Sequence, residues 1–240
     1  MPCFNASFDR LVMVGALLFA TPAMAQSPAP VAATAPAAAP VEAPTMATIL
    51  TRFASMSGLS AKFREEKRMA LLAAPLVNEG MIYFAPKARL ARHITAPAPA
   101  TVLIDEGTLR FADAGGSESL SLDQNPVVRL FVDSFVRIFA GDQAALERMY
   151  TMELVILPAG ADGVPRWTLR LRPRVAPMTQ VIDRVEITGR DVVLETMTVV
   201  EIGGDETITT FSEVDTARRF TPEELKTLFS LPPRPAGRPR

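Results

Sequence analysis

The run from Asn125 to Gly141 (NPVVRLFVDSFVRIFAG) interrupts a chain that otherwise alternates apolar and polar residues as β-strands do. Asn125 suits a helix N-cap, Pro126 the first helical position and Gly141 the C-terminal cap. Arg129, Asp133 and Arg137 recur every fourth residue as one narrow polar stripe, and the other large side chains are apolar. Such a helix must have most of its circumference covered. At ~1.5 Å per residue it runs about 22 Å, enough to cross the mouth of a small β-structure.

The strands lie on both sides of it. Leu59 to Leu71, Leu76 to Phe84, Arg89 to Thr95, Thr101 to Asp105, Thr108 to Ala112 and Ser117 to Leu122 precede it. Tyr150 to Leu157, Arg166 to Arg172, Gln180 to Thr188, Val192 to Glu201 and Glu206 to Phe211 follow. Gly80, inside a strand, marks a bulge or a close backbone approach. Three shorter helices are predicted. One spans Thr45 to Ser57 with Ile49, Leu50, Phe53 and Met56 on one face, one follows Asp142 to Met149, and one opens at the capping box Thr221-Pro222-Glu223-Glu224. Strands joined by tight turns imply a meandering antiparallel sheet, and accumulated twist curls it. Such a sheet forms either a complete barrel or an open half-barrel, and only the half-barrel gives the greasy helix an obvious place to go. The expected fold is therefore mainly β with a few helices (α+β), an open antiparallel half-barrel whose concave apolar face the helices cover.

The ends are of another kind. Leu11 to Ala20 is a short apolar run after Arg10, followed by Ala23-Met24-Ala25, which reads as a secretory signal over 1–25 with cleavage before Gln26. An uncleaved anchor is the alternative, although the run is too short to span a bilayer. Residues 26–44 are Pro/Ala-rich and read as a disordered linker, 45–231 as the folded domain, and 232–240 as a disordered basic tail. The reading is of an exported periplasmic protein.

Chemistry-bearing residues are scarce. The chain holds one histidine, His93, and one cysteine, Cys3, which lies in the signal segment. No metal site, cofactor or thiol nucleophile is expected. His93 in ARHIT has no G-x-S-x-G elbow to serve, and adjacent strand residues Glu65 and Glu66 point to opposite faces, which argues against a carboxylate pair. Glu65 and Lys67 share a face and read either as an ion pair or as a polar contact in a cavity. A net charge of -1 gives no case for nucleic acid. What remains is apolar: Phe63, Ile82, Tyr83, Leu90, Trp167 and Leu169 on strands, and Phe131, Phe135, Ile138 and Phe139 on the helix. Periodicity does not separate a filled core from a ligand cavity, and composition alone favours the filled core.

Three segments resemble a known family. Ala61-Lys62-Phe63-Arg64-Glu65 is similar to its F-x-Q strand after a first helix. Gly80 to Pro86 (GMIYFAP) is similar to its glycine-to-proline strand, and Pro97 with Val102 to Gly107 (VLIDEG) to its P-x(4,5)-L-hydrophobic-x-D-G element, with Pro126 to Ala140 in the place of a lid helix. The family is the LolA-like periplasmic lipoprotein-carrier superfamily. A narrower resemblance, to small LolA-related proteins of lipid and aryl-polyene export systems, rests on Phe63 to Pro86, Phe139 to Tyr150 (FAGDQAALERMY) and Trp167 to Pro173 (WTLRLRP).

The resemblance implies an open barrel whose apolar face receives acyl chains beneath a lid, a carrier and not an enzyme. It implies a lipid or lipidated cargo, an inner-membrane exporter and an outer-membrane acceptor as partners, and a monomer. Phe63, Ile82, Tyr83, Leu90, Trp167 and Leu169 would then line the cavity, with Phe131, Phe135, Ile138 and Phe139 on the lid. The alternatives are a non-transporting lipid- or lipoprotein-binding sensor module and, last, a hydrolase using His93 or Glu65. One departure stands out: the carriers have a lid-latching arginine just before the strand-ending proline, and here that place is Ala85.

Overall fold

The computed structural model describes residues 44–105, 107–159 and 163–232. The expected signal peptide, residues 26–43 of the linker and residues 233–240 of the tail lie outside the described residues.

The elements follow the sequence signals closely. Helix α1 is Met46–Ala54, capped by a Thr45/Thr48 box. Six strands follow: β1 Leu59–Arg68, β2 Leu76–Ala85, β3 Arg89–Ala96, β4 Ala100–Asp105, β5 Thr108–Asp113 and β6 Gly116–Ser121. A 3-10 turn, Leu122–Gln124, leads into α2, Pro126–Ala140, and then α3, Gln143–Met149. Five strands complete the sheet: β7 Tyr150–Leu157, β8 Arg166–Pro173, β9 Ile182–Arg190, β10 Val193–Glu201 and β11 Glu206–Asp215. Helix α4, Pro222–Leu228, carries the Thr221/Glu224 capping box. Gly141 ends α2 at φ 68°, in the left-handed region that glycine adopts without a steric cost. Asn125 precedes α2 without a side-chain capping bond, and Pro126 at the first position makes one of the missing donors irrelevant.

All eleven strands form one antiparallel sheet in the order β6-β5-β4-β3-β2-β1-β11-β10-β9-β8-β7. This differs from a simple meander, in which β7 would continue from β6. The first and last strands pair instead, Phe63 opposite Phe211 and Glu65 opposite Thr209, so the chain closes on itself at the middle of the sheet. β6 and β7 become the two edges. The segment between them, carrying α2 and α3, therefore crosses from one edge to the other. The topology thus carries the greasy helix across the sheet, and its apolar faces settle over the inner face.

Alternation divides the side chains between the two faces. On the face under α1 to α3, the β7–β10 half is filled. Ile49, Leu50 and Phe53 of α1, Ile138 of α2 and Leu146 of α3 pack with Trp167, Leu169, Leu171, Val185 and Ile187. Trp167 is 0 % exposed; its Nε1–H donates to the Asp191 carbonyl at 2.9 Å, and Phe53 meets it edge-on. The opposite face has its own cover. Ala85, Ala91, Leu103 and Tyr83 pack with Phe220, Leu225, Leu228 and Phe229 in and around α4. The expectation that the helices cover the concave face thus holds for α1 to α3 and not for α4.

At Gly80 the backbone of β3 passes close over β2. A Cβ there would lie 2.0 Å from the His93 carbonyl oxygen, and the register slips between Glu79 and Gly80. The bulge signal in the sequence was real.

Candidate functional site: an apolar cavity beneath α2

On the same face, the other half of the sheet carries large apolar residues that the α2 side chains roof without filling the space between. Register sets the lining: Leu59 lies across from Phe84, Phe84 from Leu90, Leu90 from Ile104, and Ile104 from Leu109. Phe211 of β11 and Leu194 and Met197 of β10 extend it towards the filled half. From above, Val128, Phe131, Val132, Phe135, Val136 and Phe139 of α2 face down. Between them is a cavity of about 260 Å³. This is just below the range of small-molecule sites, which run from about 300 to 1,000 Å³. It is also why Phe131, Phe135 and Phe139 are only half-buried although they point inward.

The roof is held from the outside and from its C-terminal end. The polar stripe faces water: Arg129 pairs with Asp123 and Asp133, and Arg137 with Asp142 at 3.0 Å. Phe139 stacks on Phe84 at 4.4 Å between ring centres and meets Phe53 edge-on at 5.8 Å. Ser134, a buried hydroxyl on an otherwise apolar face, donates to the Leu130 carbonyl and lies in hydrogen-bond contact with Tyr150 Oη, whose hydroxyl can also donate to Met178 Sδ at 3.0 Å. Burial pushes the Tyr150 phenol above its ordinary value, and the Ser134 contact opposes the shift in part.

Five of the ten residues expected at the site line the cavity: Ile82, Leu90, Phe131, Phe135 and Phe139. Phe63 is buried beside it under Arg92. The other four are elsewhere. Tyr83 follows Ile82 in the strand and so points to the α4 face, edge-on to His93 and Phe220. Trp167, Leu169 and Ile138 belong to the filled half. Phe84, Val102, Ile104 and Leu109 were not among the expected site residues; strand parity with Ile82 carries Phe84, while the other three follow from the β3–β4 and β4–β5 registers.

The polar candidates also separate. His93 Nε2 lies 2.8 Å from the Leu228 carbonyl on the α4 face. Glu65 is on the other face, 2.8 Å from Arg92 and within reach of Asn78 and Thr209. Lys67 pairs with Glu201 at 2.9 Å and not with Glu65. Glu66, on the face opposite Glu65, joins Arg64 and Arg68. Ala85, in the place of the latching arginine, is 0 % exposed in the α4 cluster, so that position faces away from the cavity.

An open antiparallel half-barrel with an apolar cavity under one crossing helix is the class that fold and site define. The chain belongs to the family of outer membrane lipoprotein carrier protein LolA-like domains, whose model matches residues 37–230. No curated protein sequence matches it. Among solved structures it is similar to the LolA superfamily protein NE2245 from Nitrosomonas europaea, at 12% identity and TM-score 0.39, covering 76% of this chain and 97% of that one. It is also similar to LprF from Mycobacterium bovis, at 12% identity and TM-score 0.36, covering 75% and 98%. The MucB of the Pseudomonas aeruginosa MucA/MucB complex matches at 16% identity and TM-score 0.46, over 75% of this chain and 60% of that one.

Proposed function

We propose that the protein is a periplasmic carrier that holds the acyl chains of a lipid or lipidated molecule beneath α2 and moves them towards the outer membrane. The observation that supports this is the cavity itself, apolar on floor and roof, in a chain of the LolA-like family. Each methylene taken out of water gains ~0.8 kcal/mol, so an acyl chain crossing an aqueous compartment needs such a shield. The cavity is small for a long chain, and α2 must lift or tilt for larger cargo.

We infer that the protein acts by binding and not by catalysis. His93 and Glu65 lie on opposite faces of the sheet and cannot share a reacting atom. The narrower likeness to carriers of aryl-polyene export belongs with the same proposal, as do an exporter that loads the cargo and an acceptor that receives it.

The test is native mass spectrometry of the protein purified from cell envelopes, followed by incubation with acceptor vesicles. Bound lipid that moves to the vesicles is the expected result. Retention of lipid without transfer would replace the carrier by a sensor module. Absence of lipid, with no uptake of a fluorescent fatty acid, would end the acyl-binding reading.

A further inference from the structure

Arg92 is the one charged residue among those described as lining the cavity. It enters from β3 opposite Ile82 and Val102, two cavity-lining positions. Its guanidinium lies over the Phe63 ring at 4.1 Å and its side chain is 25 % exposed. A guanidinium carries five N–H donors and no acceptor. Here its partner is one carboxylate: Nη2 is 2.8 Å from Glu65 Oε2, yet it is buried and lacks a well-directed hydrogen bond. Glu65 is better supplied, with Asn78 Nδ2 at 3.3 Å and Thr209 Oγ1 at 3.4 Å besides the ion pair. The cluster at this end of the cavity therefore has donors to spare and a net charge of zero.

Those two properties select a ligand. Unused donors in an apolar wall favour a hydrogen-bond acceptor. A neutral pair in a low-dielectric site accepts a neutral acceptor readily, whereas a second anion beside Glu65 is opposed by like charge and by desolvation. We propose that Arg92 donates to the carbonyl oxygen of a neutral acyl group, ester or amide, seated in the cavity, and that Glu65 sets the preference for that group over a free carboxylate. This rests on the acyl-carrier reading and adds to it the class of cargo: acylated molecules and not free fatty acids.

The experiment is displacement of the neutral apolar dye N-phenyl-1-naphthylamine from the purified protein by four twelve-carbon competitors: dodecane, methyl dodecanoate, N-methyldodecanamide and dodecanoate at neutral pH. The ester or the amide should compete about tenfold better than dodecane, the size of one hydrogen bond to a charged group, and better than dodecanoate. Which of the two leads identifies the linkage.

Glu65→Gln keeps the shape and an acceptor oxygen for Asn78, with the Thr209 hydroxyl turning to accept from the amide, but leaves Arg92 uncompensated. It should raise dodecanoate affinity about tenfold or more relative to the ester, a gain that loss of fold cannot produce. The double variant Arg92→Met, Glu65→Gln leaves no unpaired charge and should erase the advantage of the carbonyl compounds over dodecane. If all four chains displace the dye equally, and Glu65→Gln leaves their ratios unchanged, this assignment is wrong while the carrier reading stands. If the dye binds but no twelve-carbon chain displaces it, both are wrong.

Discussion

Phe135 and Arg137 sit two residues apart on α2 and should respond very differently to the same substitution. Phe135 faces the cavity, and Arg137 is exposed to water, where it pairs with the half-buried Asp142 at 3.0 Å. F135E places a carboxylate among apolar side chains, and an entering acyl chain must strip it of water or force it to take a proton. An unpaired ion so desolvated costs roughly 2–4 kcal/mol, about 30- to 700-fold in Kd. R137E removes an exposed pair worth less than about 1 kcal/mol and sets a negative charge near the negative end of the helix dipole. It should lower the melting temperature slightly and leave acyl affinity within about threefold. Dye displacement reads affinity, and thermal unfolding separates it from stability. The F135E defect should shrink as pH falls, because burial raises the introduced carboxyl's pKa and its neutral form is tolerated. Equal losses in the two variants, or an F135E defect that persists at acid pH, would show that the helix is turned otherwise.

Other consequences of the asymmetric filling can be read by denaturant unfolding. L169A, in the filled half, should cost ~2–5 kcal/mol while leaving dye affinity unchanged, and a near-neutral effect would mean that half is not packed. I104A, at the cavity wall, should change affinity more than stability. G80A should destabilise by about 1–3 kcal/mol or more, because the added Cβ meets the His93 carbonyl; full stability would contradict the close approach. Tyr150 contributes at high pH: its raised pKa leaves stability untouched below the ordinary tyrosine range near 10.0 and lowers it above, where the unfolded chain releases a proton that the folded one keeps. Y150F should flatten that alkaline fall, and an unchanged alkaline limb would assign it to another group.

Local elements were legible because local signals are strong here. Pro126 and Gly141 bound α2, the Thr221/Glu224 box opens α4, and Tyr150–Leu157 matches its strand residue for residue. Pairing of β1 with β11 was not legible, since no local feature of Phe63 or Phe211 names a partner so distant in sequence. The cavity was legible only in part. Leu169 and Leu90 are equivalent as sequence, both large and both on the inner face, yet one meets α1 and the other meets empty space. That difference arises because α1, α3 and Ile138 of α2 pack directly on the β7–β10 half, whereas over the other half the α2 side chains roof the floor and leave a cavity of about 260 Å³ between. Tyr83 could have been excluded by parity with Ile82 alone. Arg92 was legible by parity with Leu90 two residues earlier in β3, which puts both on the cavity face.

The central claim is that acyl chains occupy the space between β2–β5 and α2. Photo-crosslinking with a diazirine-bearing acyl chain, mapped by peptide mass spectrometry, tests it most directly. Adducts on Phe131, Phe135, Leu90 and Ile104 are predicted. Adducts confined to the exposed loop around Leu71, which is 93 % exposed, or to the α4 face would contradict it.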